Sequence, residues 1–214
     1  MKQILLLGGA GKTGRLLTRM ALDAGLYVTL LVRNRASIRI NSDHLEVIEG
    51  DVKNYIDIEK AVQGQDAVTS TLAKDCKSLE TLKLGTKKII RAIENEKVYR
   101  FISLSSIGAG STREKVGFFF RLALVISGKS NFFEALTEEE NLLRDSHLNF
   151  TLIQAGTIAS FGGKRMGLKT VLFSEIRQSF LAAAKKTGRS QVAAIMLNEL
   201  LNPLWIREII CVHN

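Results

Sequence analysis

Glycine stands at positions 8, 9, 11 and 14, directly behind the apolar run Ile4-Leu5-Leu6-Leu7. Arg15–Leu22 follows with its apolar residues at helical spacing. A buried strand, a Gly-rich turn and a helix N-terminus make a place for a pyrophosphate. Glycine lets the backbone bend and approach the ligand, and the helix offers free N–H groups and the positive end of its dipole. Two phosphate loops compete for these residues. Gly11-Lys12-Thr13 resembles the end of a nucleoside-triphosphate loop, which requires glycine at position 6. That position is Leu6, inside the strand, so the triphosphate reading is rejected. Gly9-Ala10-Gly11-Lys12-Thr13-Gly14 instead fits G-x-G-x-x-G at the first strand-to-helix turn, the dinucleotide pattern. A bare glycine turn is the alternative.

The second chemically telling residue is Arg33. Tyr27–Val32 is apolar and β-branched, a second buried strand, and Arg33-Asn34-Arg35 is its tip. An acidic residue about 20 positions beyond the glycine loop takes the ribose 2′-hydroxyl of NAD. Here the position 19 residues past Gly14 is Arg33. A guanidinium attracts a 2′-phosphate that a carboxylate would repel. NADP(H) is therefore the expected cofactor, with Lys12 and Arg35 as helpers. A solvated arginine at a strand end is the alternative.

These residues need a scaffold, and strand and helix patterns alternate along the chain. Leu45–Gly50 reads as a third strand, and Asn54 caps a short helix through Ile58 and Ala61. Asp66–Thr71 reads as a fourth strand and Tyr99–Ser105 as a fifth. Between them, Leu79, Leu82, Ile89, Ile90 and Ile93 form a helical stripe. Gln191–Leu201 reads as a last helix capped by Ser190 and stopped before Pro203, with Ile206–Val212 as a final edge strand. The fold class is α/β, a Rossmann-like doubly wound parallel sheet in a single domain spanning 1–214. Ligands of such sheets bind at the carboxyl ends of the strands.

The bulk properties narrow the function. The 214 residues are 46% hydrophobic and 24% charged, a globular composition. The net charge of +9 suits a polyanionic cofactor. Cations are spread without aromatic interleaving, so nucleic acid is not an expected partner. Cys76, Cys211, His44, His147 and His213 form no metal pattern, so no metal is expected. No signal-peptide pattern precedes the first strand, and the expected location is cytoplasmic. The apolar run 116–127 contains Arg121 and is too short to span a bilayer. It reads as a cover for a substrate cleft or as core, with a dimer or membrane-surface contact as the alternative. Phe118, Phe119 and Phe120 read as core or as an apolar wall. Glu134, Glu138, Glu139 and Glu140 read as the wet face of a helix ending near Asp145. The expected assembly is a monomer or weak homodimer.

Six motifs carry a family resemblance. They are Gly8–Gly14, Val32-Arg33-Asn34, Gly50-Asp51-Val52, Phe101–Gly108, Asn149–Gly156 and Gln191–Ala194. Their order resembles that of atypical short-chain dehydrogenases, in the NAD(P)-binding, NmrA-like branch that includes biliverdin-IXβ reductase/flavin reductase. The resemblance implies that Gly8, Gly9, Ala10, Gly11, Lys12, Thr13 and Gly14 cradle the pyrophosphate and that Arg33 holds the 2′-phosphate. It implies that Asp51 and Val52 border the adenine and that Thr71 and Leu72 line the path to the nicotinamide ribose. Ser105 and the Ala155-Gly156 turn belong to the cofactor side by the same resemblance. Ser106 and Thr157 are the side chains expected nearest the reacting atoms.

Two departures shape the expected activity. Many relatives carry Tyr-x-x-x-Lys before the sixth strand, and alignment puts those positions at Phe132 and Leu136, which cannot donate a proton. Tyr27 and Tyr99 sit at strand starts and Tyr55 opens a helix. Gln154-Ala155-Gly156 also replaces the Arg-Pro-Gly of many relatives. Oxidation of a simple alcohol, which needs a base, is poorly supported. Hydride transfer to a flavin, quinone or tetrapyrrole acceptor fits, because the acceptor is its own electron sink and solvent supplies the proton. The expectation is an NADPH-dependent reductase of a small molecule. The alternatives are a non-catalytic NADP(H) sensor of the NmrA-like type and, more remotely, a basic nucleic-acid binder. The basic stretch 163–189 is expected on the substrate side.

Overall fold

The computed structural model describes residues 2–72, 79–159, 169–172 and 186–213. Cys76 and most of 163–189 lie outside these. The first strand, β1 (Gln3–Leu7), is followed by α1 (Lys12–Asp23), β2 (Tyr27–Val32), β3 (Leu45–Glu49), α2 (Tyr55–Val62), β4 (Ala67–Ser70) and α3 (Leu79–Asn95). Then come β5 (Arg100–Ser106), α4 (Phe118–Ile126), α5 (Ser130–Asp145), β6 (Asn149–Ala155), β7 (Thr157–Ala159), β8 (Lys169–Leu172), β9 (Lys186–Gly188), α6 (Arg189–Leu201) and β10 (Glu208–His213).

The main sheet runs β3-β2-β1-β4-β5-β6-β10-β8. All its pairings are parallel except that of β8, which lies antiparallel to β10. A small parallel pair, β7 with β9, stands apart. The chain builds outward from β1 through β2 to β3, then crosses to β4 and builds the other way. The strand order reverses between β1 and β4, which opens a crevice at their carboxyl ends.

Strand alternation divides the core into two layers. Ile4 and Leu6 point to one face, where Leu17 and Ala21 of α1 meet Val192, Ala193 and Met196 of α6. Leu5 and Leu7 point to the other, against Ile58 of α2, Ile89 and Ile93 of α3 and Leu143 of α5. Four consecutive buried residues in β1 are what a strand covered on both faces demands.

Three element readings change. The last strand, β10, is not an edge: it lies between β6 and β8, so Ile209–Val212 are buried on a central position. Helix α6 starts at Arg189, and its end is closed by Gln191 Oε1 accepting from the Gly188 N–H at 3.0 Å, not by Ser190. Glu139 and Glu140 are not on a wet face; they are 3% and 2% exposed inside the molecule. Asn54 does cap α2, its Oδ1 accepting from the Ile56 N–H at 3.2 Å.

Candidate functional site

The loop between β1 and α1 is fixed by close backbone packing. Gly8 has φ +85°, a left-handed conformation that favours glycine. The Gly11 N–H donates to the Gly8 carbonyl at 2.9 Å, closing the turn. A Cβ at Gly14 would run into the Gly8 carbonyl oxygen and lie 2.9 Å from Gly9 Cα. A Cβ at Gly8 would sit 2.7 Å from Thr71 Oγ1, whose hydroxyl donates to the Gly8 carbonyl at 3.2 Å. Gly11 caps α1 without a side-chain hydrogen bond, so no side chain competes for the first-turn N–H groups. The loop is thus a cradle that side chains would fill.

In front of it lies a cavity of about 590 Å³, within the usual range for small-molecule sites. Gly8, Ala10, Gly11 and Lys12 form one wall, Val32 and Arg33 the tip of β2, and Asp51 and Val52 the end of β3. Thr71 and Leu72, just beyond β4, complete the crevice, joined by Leu82, Ile158 and Arg189. Gly9, Thr13 and Gly14 are buried and shape the loop without lining the cavity. Arg35 does not join Arg33. Its guanidinium donates to the Val47 carbonyl at 2.9 Å, along the edge of β3. Lys12, Arg33 and Arg189 are the cations of this cavity and Asp51 its carboxylate. This charge balance and the glycine cradle fit a dinucleotide phosphate. Arg189 opens α6 directly behind Gly188, two residues before the start that the apolar pattern predicts; a cation opening a helix behind a glycine is the signal in the sequence.

A second cavity, about 250 Å³, adjoins the first at Ile158, which lines both. Ser105, Ser106, Ala155, Gly156 and Thr157 all lie here, at the ends of β5 and β6. Phe120 and Leu124 of α4 and Phe132 and Phe133 of α5 form its apolar side, with Lys129 at the start of α5. Phe132 and Phe133 meet edge to face, with ring centroids 5.7 Å apart. Of Phe118–Phe120, only Phe120 contributes to this wall; Phe118 and Phe119 face solvent and are not core. Phe132 stands where the resemblance expects tyrosine, and Leu136 is fully buried. Among the described residues no tyrosine lines either cavity, and the Tyr55 hydroxyl is engaged by Asn95 Nδ2 at 2.8 Å. The Ser106 hydroxyl makes only a long local contact to the Ile107 carbonyl, 3.5 Å. The Ser105 hydroxyl is buried and has no hydrogen-bond partner among the described residues.

Behind this cavity, buried carboxylates hold the loop that follows Ser106. Glu140 accepts from the Ser111 N–H at 3.2 Å, from Gln154 Nε2 at 3.0 Å and from Arg144 Nε at 3.2 Å. A Cβ at Gly110 would collide with the Glu140 carboxylate. Gln154 also donates to the Ala109 carbonyl at 3.2 Å and accepts from Cys211 Sγ at 3.8 Å. Burial pushes the Cys211 thiol up to about 12, so it stays protonated and is not a nucleophile. Glu139 accepts from Ser103 Oγ at 2.5 Å, and burial pushes its carboxyl up to about 7. Among the described residues no group of three or more His, Cys, Asp or Glu is placed to hold a metal, and no helix is long and apolar enough to cross a membrane.

Comparison with known proteins agrees with this geometry. A family model described as NAD(P)H-binding matches residues 8–203. UPF0659 protein YMR090W of Saccharomyces cerevisiae is 25% identical over 211 residues, covering 94% of this chain and 88% of that protein. A wide-type short-chain dehydrogenase/reductase from Veillonella parvula, solved in complex with NADP, superposes with a TM-score of 0.81 at 20% identity, covering 100% of this chain and 94% of that one. ChuY from Escherichia coli O157:H7, described as an anaerobillin reductase, gives a TM-score of 0.81 at 17% identity over 99% of this chain and 96% of its own. These likenesses establish a shared fold.

Proposed function

Because the chain belongs to the NAD(P)H-binding family, we propose that it is an NADPH-dependent oxidoreductase that reduces a flat conjugated acceptor of the flavin, quinone or tetrapyrrole kind. The observation that carries this reading is the adjoining pair of cavities. One is a glycine cradle with Arg33 at the β2 tip, and the other is aromatic-walled and lacks a tyrosine. A reduced nicotinamide, when bound, supplies a hydride. The Gly8–Gly14 cradle and Lys12 are assigned to the pyrophosphate, and Arg33 to the 2′-phosphate. Phe120, Phe132 and Phe133 exclude water and offer a flat acceptor an apolar wall. Ser106 offers a hydroxyl to its polar edge. With no phenol to deliver a proton, the acceptor must carry the developing charge itself, which selects conjugated systems over simple ketones.

The test is a titration with NADPH and NADH followed by NADPH oxidation with FMN, menadione, biliverdin and anaerobilin as acceptors. Anaerobilin joins the panel because of the ChuY likeness. NADPH is expected to bind on the order of tenfold or more tighter than NADH, and Arg33→Asp to abolish that preference. Retained NADPH preference in Arg33→Asp would overturn the cofactor assignment. Tight NADPH binding without turnover on any acceptor would favour the sensor reading.

A further inference from the structure

Helix α4 has no buried residue. Its inner edge, Phe120 and Leu124, lines the second cavity. Its outer face carries Phe118, Phe119, Leu122, Val125 and Ile126, which are 65, 76, 42, 65 and 79% exposed. At 3.6 residues per turn these five side chains fall on one arc, opposite Phe120 and Leu124. Single exposed apolar residues are ordinary, but five on one face form a patch of the kind that marks an interaction site. The segment that carries it is basic, and Arg113 and Arg121 are exposed. Residues 113–129 contain Arg113, Lys115, Arg121 and Lys129 against one carboxylate, Glu114, in a chain of net charge +9.

We propose that the outer face of α4 docks on the surface of an anionic lipid bilayer. Its nine residues span only about 14 Å as a helix, too short to cross a membrane but suited to lying in its interface. There the phenylalanines and Ile126 enter the acyl boundary while Arg121 and its neighbours stay at the phosphates. A second copy of the chain is the weaker occupant on two grounds. A stable interface takes about 20–30 residues a side, and this face offers five apolar ones. Two copies paired through it would also bring their exposed Arg113 and Arg121 cations together, which repel, whereas anionic headgroups complement them. The proposal rests on this face and its charge and does not depend on the acceptor assigned above.

The full chain with saturating NADPH is sedimented with phosphatidylcholine vesicles, with and without phosphatidylglycerol at about a third of the lipid. The expected result is binding on the order of tenfold stronger to the anionic vesicles, weakened at about 0.5 M salt. Phe119→Ser combined with Ile126→Ser, and separately Arg121→Glu, should each lower that binding on the order of tenfold. NADPH affinity and Tm should be unchanged in both, since none of these residues lines a cavity. Failure of the parent to sediment with anionic vesicles, or equal binding to neutral ones, would overturn the proposal. So would a marked fall in Tm in the Phe119→Ser, Ile126→Ser variant, which would mean that the chain itself covers the face. A concentration-dependent dimer abolished by the same variant would overturn it in favour of self-association.

Discussion

At the scale of single residues, the buried carboxylate Glu139 ties the fold to pH. Desolvation raises its carboxyl to about 7 from the ordinary 4.5; Glu140 pushes the same way, and the Ser103 hydroxyl pulls it back in part. Between roughly pH 4.5 and 7 the folded chain keeps a proton that the unfolded chain releases, so the native state binds more protons across that window. The resulting stability is full below pH 4.5, declines as pH rises to about 7 and is flat above. It amounts to at most about 3 kcal/mol. Glu139→Gln keeps the shape and removes the titration. Urea unfolding at about pH 5 and about pH 8 should give the parent a steeper loss of stability between the two than the variant. Equal slopes would mean that Glu139 is ionised in the folded protein.

At the scale of elements, the loop–helix junction β1–α1 makes the sharpest demand on sequence. A methyl group at Gly14 meets two backbone groups of its own loop, Gly8 and Gly9, neither of which is the end of a flexible side chain. Gly14→Ala must therefore push α1 off the cradle, and NADPH affinity should fall roughly tenfold to a hundredfold in a fluorescence titration. Gly25→Ala is the control. Its φ of +78° is strained for alanine but its surroundings are open and far from the crevice, so stability should drop by about 1 kcal/mol with NADPH binding intact. This junction was legible in the sequence because its signals are local: an apolar run, glycines at fixed offsets, a helical stripe. The position of Arg33 at the β2 tip, on the cavity wall, was legible for the same reason, by counting from the loop. What escaped depends on partners distant in the chain. Glu139 and Glu140 carry charges that suit a wet helix face, and their burial depends on Ser103 of β5, Ser111 in the loop after it and Gln154 of β6, which are brought over them by the sheet. The place of β10 inside the sheet escaped likewise, because Lys169–Leu172 pairs with it from nearly 40 residues upstream and carries too short a pattern to read as a strand. The apolar run of α4 reads as core or cleft cover, yet only one edge of the helix serves the cleft.

At the scale of the whole molecule, both apolar layers share one sheet, and the larger crevice lies where the strand order reverses. Ile4 and Leu6 belong to one layer, Leu5 and Leu7 to the other, so neither layer can melt while β1 stays in register. We therefore expect the sheet and its two layers to unfold in a single cooperative transition. The crevice draws residues from the ends of β1, β2, β3 and β4, from α1 and α6 on one face of the sheet and from α3 on the other. A ligand held there binds only the folded chain, so its binding energy adds to global stability rather than to one segment. At a hundredfold excess over Kd that addition is about 2.7 kcal/mol, and for a chain of this size it should raise Tm by roughly 5–10 °C. Calorimetry should show the whole transition move with NADPH, and NADH at the same concentration is expected to move it less, as the role proposed for Arg33 requires. A shift confined to part of a split transition would mean that the crevice is built on a separately folding half. Equal shifts with the two cofactors would remove Arg33 from the recognition of the 2′-phosphate.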